Sequence, residues 1–213
     1  MSDGRRPDVS SWALVGAGGH ARVLHDVLVR SGATVVAVSG DSRGPAWGVP
    51  VLDDDELANL VARTGGVVAL GVGDETRRTR LLEWALARGL PLPPLVASTA
   101  TVAGSATLGA GTVVLEHAHV GPSARLGRGV VVNTAAVVEH DVVVGDGSHV
   151  APAAVLLGAA EVGAGTLVGS GARVLPGIRV GDRAVIGAGA VVVADVPDDA
   201  VVTGVPARPA GAR

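Results

Sequence analysis

The sequence predicts a small α/β unit followed by a parallel β-helix. Three observations carry that prediction. Aliphatic residues recur every six positions, without a slip, from Val96 to Val192. Strand-like and helix-like segments alternate ahead of them. None of the 213 residues is Phe or Tyr, and Trp12, Trp47 and Trp84 are the whole aromatic complement, so the core must be built from Val, Leu, Ala and Ile.

Residues 1–11 are polar, with Arg5 and Arg6 but no apolar run behind them, and read as a disordered tail rather than a signal peptide. Trp12–Gly16 reads as a strand, His20–Arg30 as an amphipathic helix, and Thr34–Val38 as a second strand. Asp53–Arg63, Val67–Val72 and Glu75–Arg88 continue as helix, strand and helix. Pro91, Pro93 and Pro94 then form a stiff connection. The alternation predicts a Rossmann-like unit over 12–94, a small parallel sheet with helices on its faces.

From Val96 the six-residue period decides the fold, because no helix has it. The residue four places after each repeat start is also small or aliphatic, as at Ala106, Ala118, Val142 and Ile178. That residue and the next repeat start are two apart, so both point inward around one outward residue. The other residues turn a corner, where glycine tolerates positive φ. Three strands and three corners make one coil, and the run makes nearly six coils, a prism roughly 27 Å long at the spacing of paired strands. The β-helix is expected over 95–197, with 198–213 as a C-terminal extension. The outward residues form three columns. Thr107, Arg125, Val143, Glu161 and Arg179 are mostly polar. Val113, Val131, His149, Leu167 and Val185, and then His119, Val137, Val155, Arg173 and Val191, are largely apolar and suggest a subunit interface.

Composition excludes several classes. A net charge of −3 gives no electrostatic case for nucleic acid or an anionic membrane. The absence of cysteine removes disulfides, thiolate nucleophiles and Cys-based zinc sites. Gly89–Leu115 carries no charge, but its Ser, Thr and Gly content argues against a membrane helix. The expectation is a soluble cytoplasmic protein.

Two places carry chemistry. Gly16-Ala17-Gly18-Gly19-His20-Ala21 fits G-x-G-x-x-A between strand and helix, where backbone amides and the helix N-terminus receive a phosphate. Asp41 follows the second strand at the distance of a ribose contact. A dinucleotide is the literal reading, but the unit is half the size of a dinucleotide fold and suits a single nucleotide diphosphate. In the repeat, the corner series Gly104, Pro122, His140, Gly158, Pro176, Ala194 has one outlier. His140 lies inside Glu139-His140-Asp141, a histidine beside a carboxylate as an oriented general base requires. Gly158 on the next coil is expected to leave room for a ligand, and Asn133 lies at the preceding corner. His149 would face the proposed interface. Glu116, His117, His119 and His25 read as surface residues, whereas His20 adjoins the glycine turn. No histidine spacing matches a zinc ligand set, so no metal is expected.

The hexapeptide run is similar to the acyltransferases of the left-handed β-helix class. The GAGGHARV start, the VVNTAAVVEHDVVVGDGSHVAPAAVLLG segment and the closing VVTGVPARP resemble bacterial nucleotide-sugar N-acetyltransferases and the related sialic-acid O-acetyltransferase group. The resemblance implies a homotrimer using acetyl-CoA, with sites between adjacent prisms. It implies His140 as catalytic base with Asp141 beside it, and His149 at the acetyl end of the cosubstrate. Asn133 would lie beside the reacting groups, with Gly158, Gly169 and Ser170 along the pantetheine path. Gly18, Gly19, His20, Asp41, Gly73 and Arg78 would hold the nucleotide sugar. Asp141 stands where many members have Glu, and Gly40-Asp41 where many have paired Asp. The expected reaction is acetyl transfer from acetyl-CoA to the amino group of a nucleotide-linked amino sugar. The alternatives are O-acetylation of a sugar or other small hydroxyl compound, and a non-catalytic or metal-binding β-helix.

Overall fold

The computed structural model describes residues 11–41 and 46–210. The expected tail therefore lies outside the described residues, save for Ser11, which opens the first strand. The N-terminal unit runs β1 (Ser11–Val15), α1 (Gly19–Arg30), β2 (Thr34–Ser39), β3 (Val51–Leu52), α2 (Asp54–Thr64), β4 (Val67–Leu70), α3 (Glu75–Ala87). Its sheet is parallel, in the order β3-β2-β1-β4. β3 is an element the periodicity missed, a two-residue edge between Pro50 and the α2 cap. Asp53 accepts from the Glu56 amide while the Glu56 side chain returns to the Asp53 amide, so α2 starts at a reciprocal cap. At the end of β1 the chain needs glycine: Gly16 has φ +114, and a Cβ there would lie 2.8 Å from the Gly71 carbonyl oxygen.

The rest is a β-solenoid with three faces. Face one stacks Thr107–Leu108, Arg125–Leu126, Val143–Val144, Glu161–Val162 and Arg179–Val180. Face two runs from Leu95–Val96 through Val113–Val114, Val131–Val132, His149–Val150 and Leu167–Val168 to Val185–Ile186. Face three holds Thr101–Val102, His119–Val120, Val137–Val138, Val155–Leu156, Arg173–Val174 and Val191–Val192. Each strand pairs in parallel with the one eighteen residues away, as Val131 with His149 and Val137 with Val155. The extension is not loose: Val201–Thr203 joins face two beside Val185–Ile186, and Arg208–Pro209 pairs antiparallel with it. The interior is a column of Val, Ala, Leu and Ile, with no aromatic ring in it.

From Gly111 to Gly189 one corner position in every six residues has positive φ, at glycine in many repeats and at Ala135, Asp141, Ala153 and Ala159 in others. These corners are held by backbone bonds between coils, such as the Asp141 amide to the Pro122 carbonyl at 3.0 Å.

The two apolar columns have different fates, and this corrects one expectation. Val113 and Val131 on face two are 2% and 0% exposed because the N-terminal unit of the same chain covers them, with Trp12, Leu14, Leu24 and Val27 in one continuous cluster. They are therefore not free for a second subunit. The proline segment is likewise packed: the Pro91 carbonyl accepts from Val68, and Leu92 is buried. Val137, Val155 and Val191 on face three stay half-exposed.

Candidate active site

The glycine turn, the end of β2 and the loop after β4 form a pocket at the top of the N-terminal sheet. Gly16, Ala17, Gly18, Gly19, His20, Asp41, Gly71, Val72, Gly73 and Arg77 line it. Such crevices at the carboxyl ends of parallel strands are where α/β sheets take ligands. Gly18 and Gly19 have open space where side chains would be. The Nε2 of His20 is buried without a hydrogen-bond partner among the described residues, a cost of about 1–3 kcal/mol that a polar ligand atom would relieve.

Arg78, expected among the nucleotide contacts, does not line this pocket. It is 1% exposed and donates from Nε to Gly129 O, from Nη1 to Val72 O and Gly73 O, and from Nη2 to Gly147 O and Ser148 O. Those bonds fasten the N-terminal unit to two coils and leave no donor for a phosphate. Burial lowers its pKa to about 10 against the opposing pull of Glu75 and Asp74, so it stays charged. Its neighbour Arg77 is the cation that faces the pocket. Adjacent arginines at the start of a helix look alike in sequence, and only long-range carbonyls separate them.

His140 stands at the corner between faces three and one. Its side chain is 61% exposed, and Nδ1 lies 2.8 Å from Asp141 Oδ2. The left-handed backbone at Asp141 (φ 61) turns the carboxylate back toward the ring. The pair sets the Nδ1–H tautomer and leaves a lone pair on Nε2. Gly158 does not leave room for a ligand, as the sequence suggested, but for this ring. A Cβ at Gly158 would lie 2.5 Å from His140 Nε2.

Asn133 lies along a different edge, between faces two and three, with Gly169 and Ser170 two coils further along it. His149 joins them, and it too departs from expectation. It is covered by α3 of the same chain, with Nδ1 3.3 Å from Glu75 Oε1 and Nε2 3.0 Å from Asn133 Nδ2. Glu75 and Arg77 are the residues that sequence reasoning passed over, since a charged first helical turn ordinarily signals only dipole compensation. The weaker histidines have local roles: His119 bonds Thr101, the His117 amide donates to Thr99, and His25 packs edge-on against Trp47. Glu116 pairs with Arg30. No cluster of three or more metal-ligating side chains occurs among the described residues.

One chain thus brings the pocket and the Asn133 edge together through Glu75, and holds His140 on the far side of face three. The electrostatics of the first group are legible. The pKa of His20 is lowered to about 4, chiefly by burial, with nearby His149 and Arg78 acting in the same sense. A histidine whose folded pKa lies below its unfolded value of about 6.5 binds its proton more readily in the unfolded chain. Its contribution to stability is therefore lost as pH falls from about 6.5 toward about 4. The urea midpoint is expected to fall over that window, and His20→Gln to flatten the fall. Identical slopes in parent and variant would contradict the assignment.

Residues 12–85 match the PglD N-terminal domain family, and residues 159–194 match the bacterial transferase hexapeptide (six repeats) family. No curated protein matches the chain. Among solved structures, the acetyltransferase domain of PglB from Neisseria gonorrhoeae, in complex with acetyl coenzyme A, is 35% identical. The match covers 95% of this chain and 100% of that one, with a TM-score of 0.88. PerB from Caulobacter crescentus, in complex with CoA and GDP-perosamine, is also 35% identical, over 94% of this chain and 97% of that one, TM-score 0.88. WeeI from Acinetobacter baumannii shares the fold at 23% identity, over 93% and 99% of the two chains, TM-score 0.79.

Proposed function

The chain belongs to the hexapeptide-repeat acyltransferases of the nucleotide-sugar N-acetyltransferase group, and from that premise we propose that it moves the acetyl group of acetyl-CoA onto the amine of a nucleotide-linked amino sugar. The observation that carries the reading is the pairing of two sites on one chain: an exposed His140–Asp141 dyad, and a glycine-lined pocket at the N-terminus of α1. A free sugar carries no phosphate to place in such a pocket, whereas a nucleotide diphosphate does.

His140 is the general base. Asp141 accepts its Nδ1–H, so Nε2 takes a proton from the acceptor amine as the nitrogen attacks the thioester carbonyl. The carbon–sulfur bond then breaks, and coenzyme A leaves as a thiolate that takes up a proton. No group of the enzyme is acylated. The nucleotide, held by Gly18, Gly19, His20, Asp41, Gly73 and Arg77, orients a distant amine with binding energy that a smaller acceptor lacks. Asn133, His149, Gly169 and Ser170 line the path of acetyl-CoA.

His140 and the Asn133 edge beside the pocket flank face three, and Val137, Val155 and Val191 give that face a half-exposed apolar strip. A homotrimer packed through face three would bring the His140 edge of one prism against the pocket edge of the next. It predicts a trimeric mass in solution, and a monomer at micromolar concentration would contradict it. No helix among the described residues is long and apolar enough to cross a membrane.

Gly18→Leu tests the pocket. The fold has open space at Gly18, so the variant should keep its thermal stability. It should raise the KM of the nucleotide-linked acceptor tenfold or more, by about 1.4 kcal/mol of lost binding, and leave the KM of acetyl-CoA unchanged. A rise confined to acetyl-CoA would assign the turn to the other substrate.

A further inference from the structure

We propose that Glu75 is a positioning residue for the transfer, acting through His149 on Asn133. It lies outside the expected site, on the first turn of the helix that follows the pocket loop, yet it reaches across to the β-helix. Its side chain and that of His149 are 21% and 14% exposed, so their contact is enclosed although long at 3.3 Å.

The direction of each bond in this chain follows from its ends. The Thr134 amide donates to Asn133 Oδ1 at 2.8 Å, which fixes the orientation of the Asn133 amide. Nδ2 therefore donates to His149 Nε2, at 3.0 Å, and Nε2 must offer a lone pair. The proton of a neutral His149 is then on Nδ1, where it meets Glu75 Oε1. Glu75 has to be an acceptor there. Burial alone would raise its carboxyl pKa, but the bond from His149, its own backbone amide and the nearby Arg78 outweigh that, and the net shift is downward.

Both nitrogens of His149 are thereby bonded inside the chain, so the ring that lines the acetyl-CoA path is itself held in place from both sides. Asn133 keeps one Nδ2–H in hand, at the half-exposed edge along which Gly169 and Ser170 also stack. The group presented to acetyl-CoA is this amide, with its orientation held from the nucleotide unit by Glu75. The inference rests on the reading that Asn133 lies beside the reacting groups.

The test combines imidazole ¹⁵N NMR with kinetics on acetyl-CoA and a nucleotide-linked amino sugar. In the parent, His149 should be the Nδ1–H tautomer, and Glu75→Ala should redistribute it. Glu75→Ala should lower kcat on the order of tenfold, the scale felt when a functional histidine loses its outer partner, with little change in the acceptor KM. Glu75→Gln keeps a carbonyl oxygen for Nδ1–H and should restore the tautomer and most of the rate. The double variant Glu75→Ala/His149→Ala should be no slower than His149→Ala within about twofold. An acid that merely compensates the α3 dipole would leave the tautomer alone and give additive losses. An Nε2–H tautomer in the parent, or additive losses, overturns the proposal. Asn133→Ala that slows transfer while Glu75→Ala does not overturns it and spares the reading. Asn133→Ala at the parental rate removes both.

Discussion

His140→Ala is expected to lower turnover by ~10²–10⁴-fold, the range of general base assistance, without unfolding the chain. The side chain is exposed at a corner and packs against nothing that the interior needs; the coil below it is held by its own backbone bonds. The loss should fall on kcat, because a base acts in the transition state rather than in ground-state binding. Gly158→Ala supplies a second arm: its Cβ would occupy the place of the His140 ring edge, so the imidazole must swing away from Asp141. Part of the same loss should follow with the thermal midpoint nearly unchanged. His140→Ala within a few-fold of the parent would remove it from the role of base.

Arg78→Met should destabilise the protein by ~3–5 kcal/mol. Methionine fills the space of the stem, but four carbonyls, at Val72, Gly73, Gly129 and Gly147, lose their side-chain donor in a buried seam, while that of Ser148 keeps the Val131 amide. For a chain of this size the thermal midpoint would fall on the order of 10 °C. Since the seam joins the two units, the melting curve should also broaden or split. A midpoint within about 2 °C of the parent would mean that the guanidinium is not what fastens them.

The β-helix was legible because one interior position repeats every six residues, and a narrow core admits only small aliphatic side chains there. Helix ends were legible to within a residue or so, since Asp53, Asp74 and Gly65 are strong local caps. The fate of the outward columns was not. Val113 and Val137 read alike in sequence, yet one is covered by Trp12 and its neighbours and the other is not, because docking of the first unit depends on partners far away in the chain. The same blindness misplaced Arg78 and passed over Glu75: both act on atoms more than fifty residues distant. His140 was visible for the opposite reason, as a bulky ionisable residue at a corner that otherwise takes glycine, proline or alanine.

The central claim, acetyl transfer to a nucleotide-linked amine, is tested most directly by mass spectrometry of the acceptor. The protein would be incubated with acetyl-CoA and either GDP-perosamine, other nucleotide-linked amino sugars, or the same sugars freed of their nucleotide. The account predicts a gain of one acetyl group on the amine of at least one nucleotide-linked sugar, lost with His140→Ala, and little or none on the free sugars. Equal acetylation of the free sugars, or acetylation at a hydroxyl with the amine untouched, would contradict it.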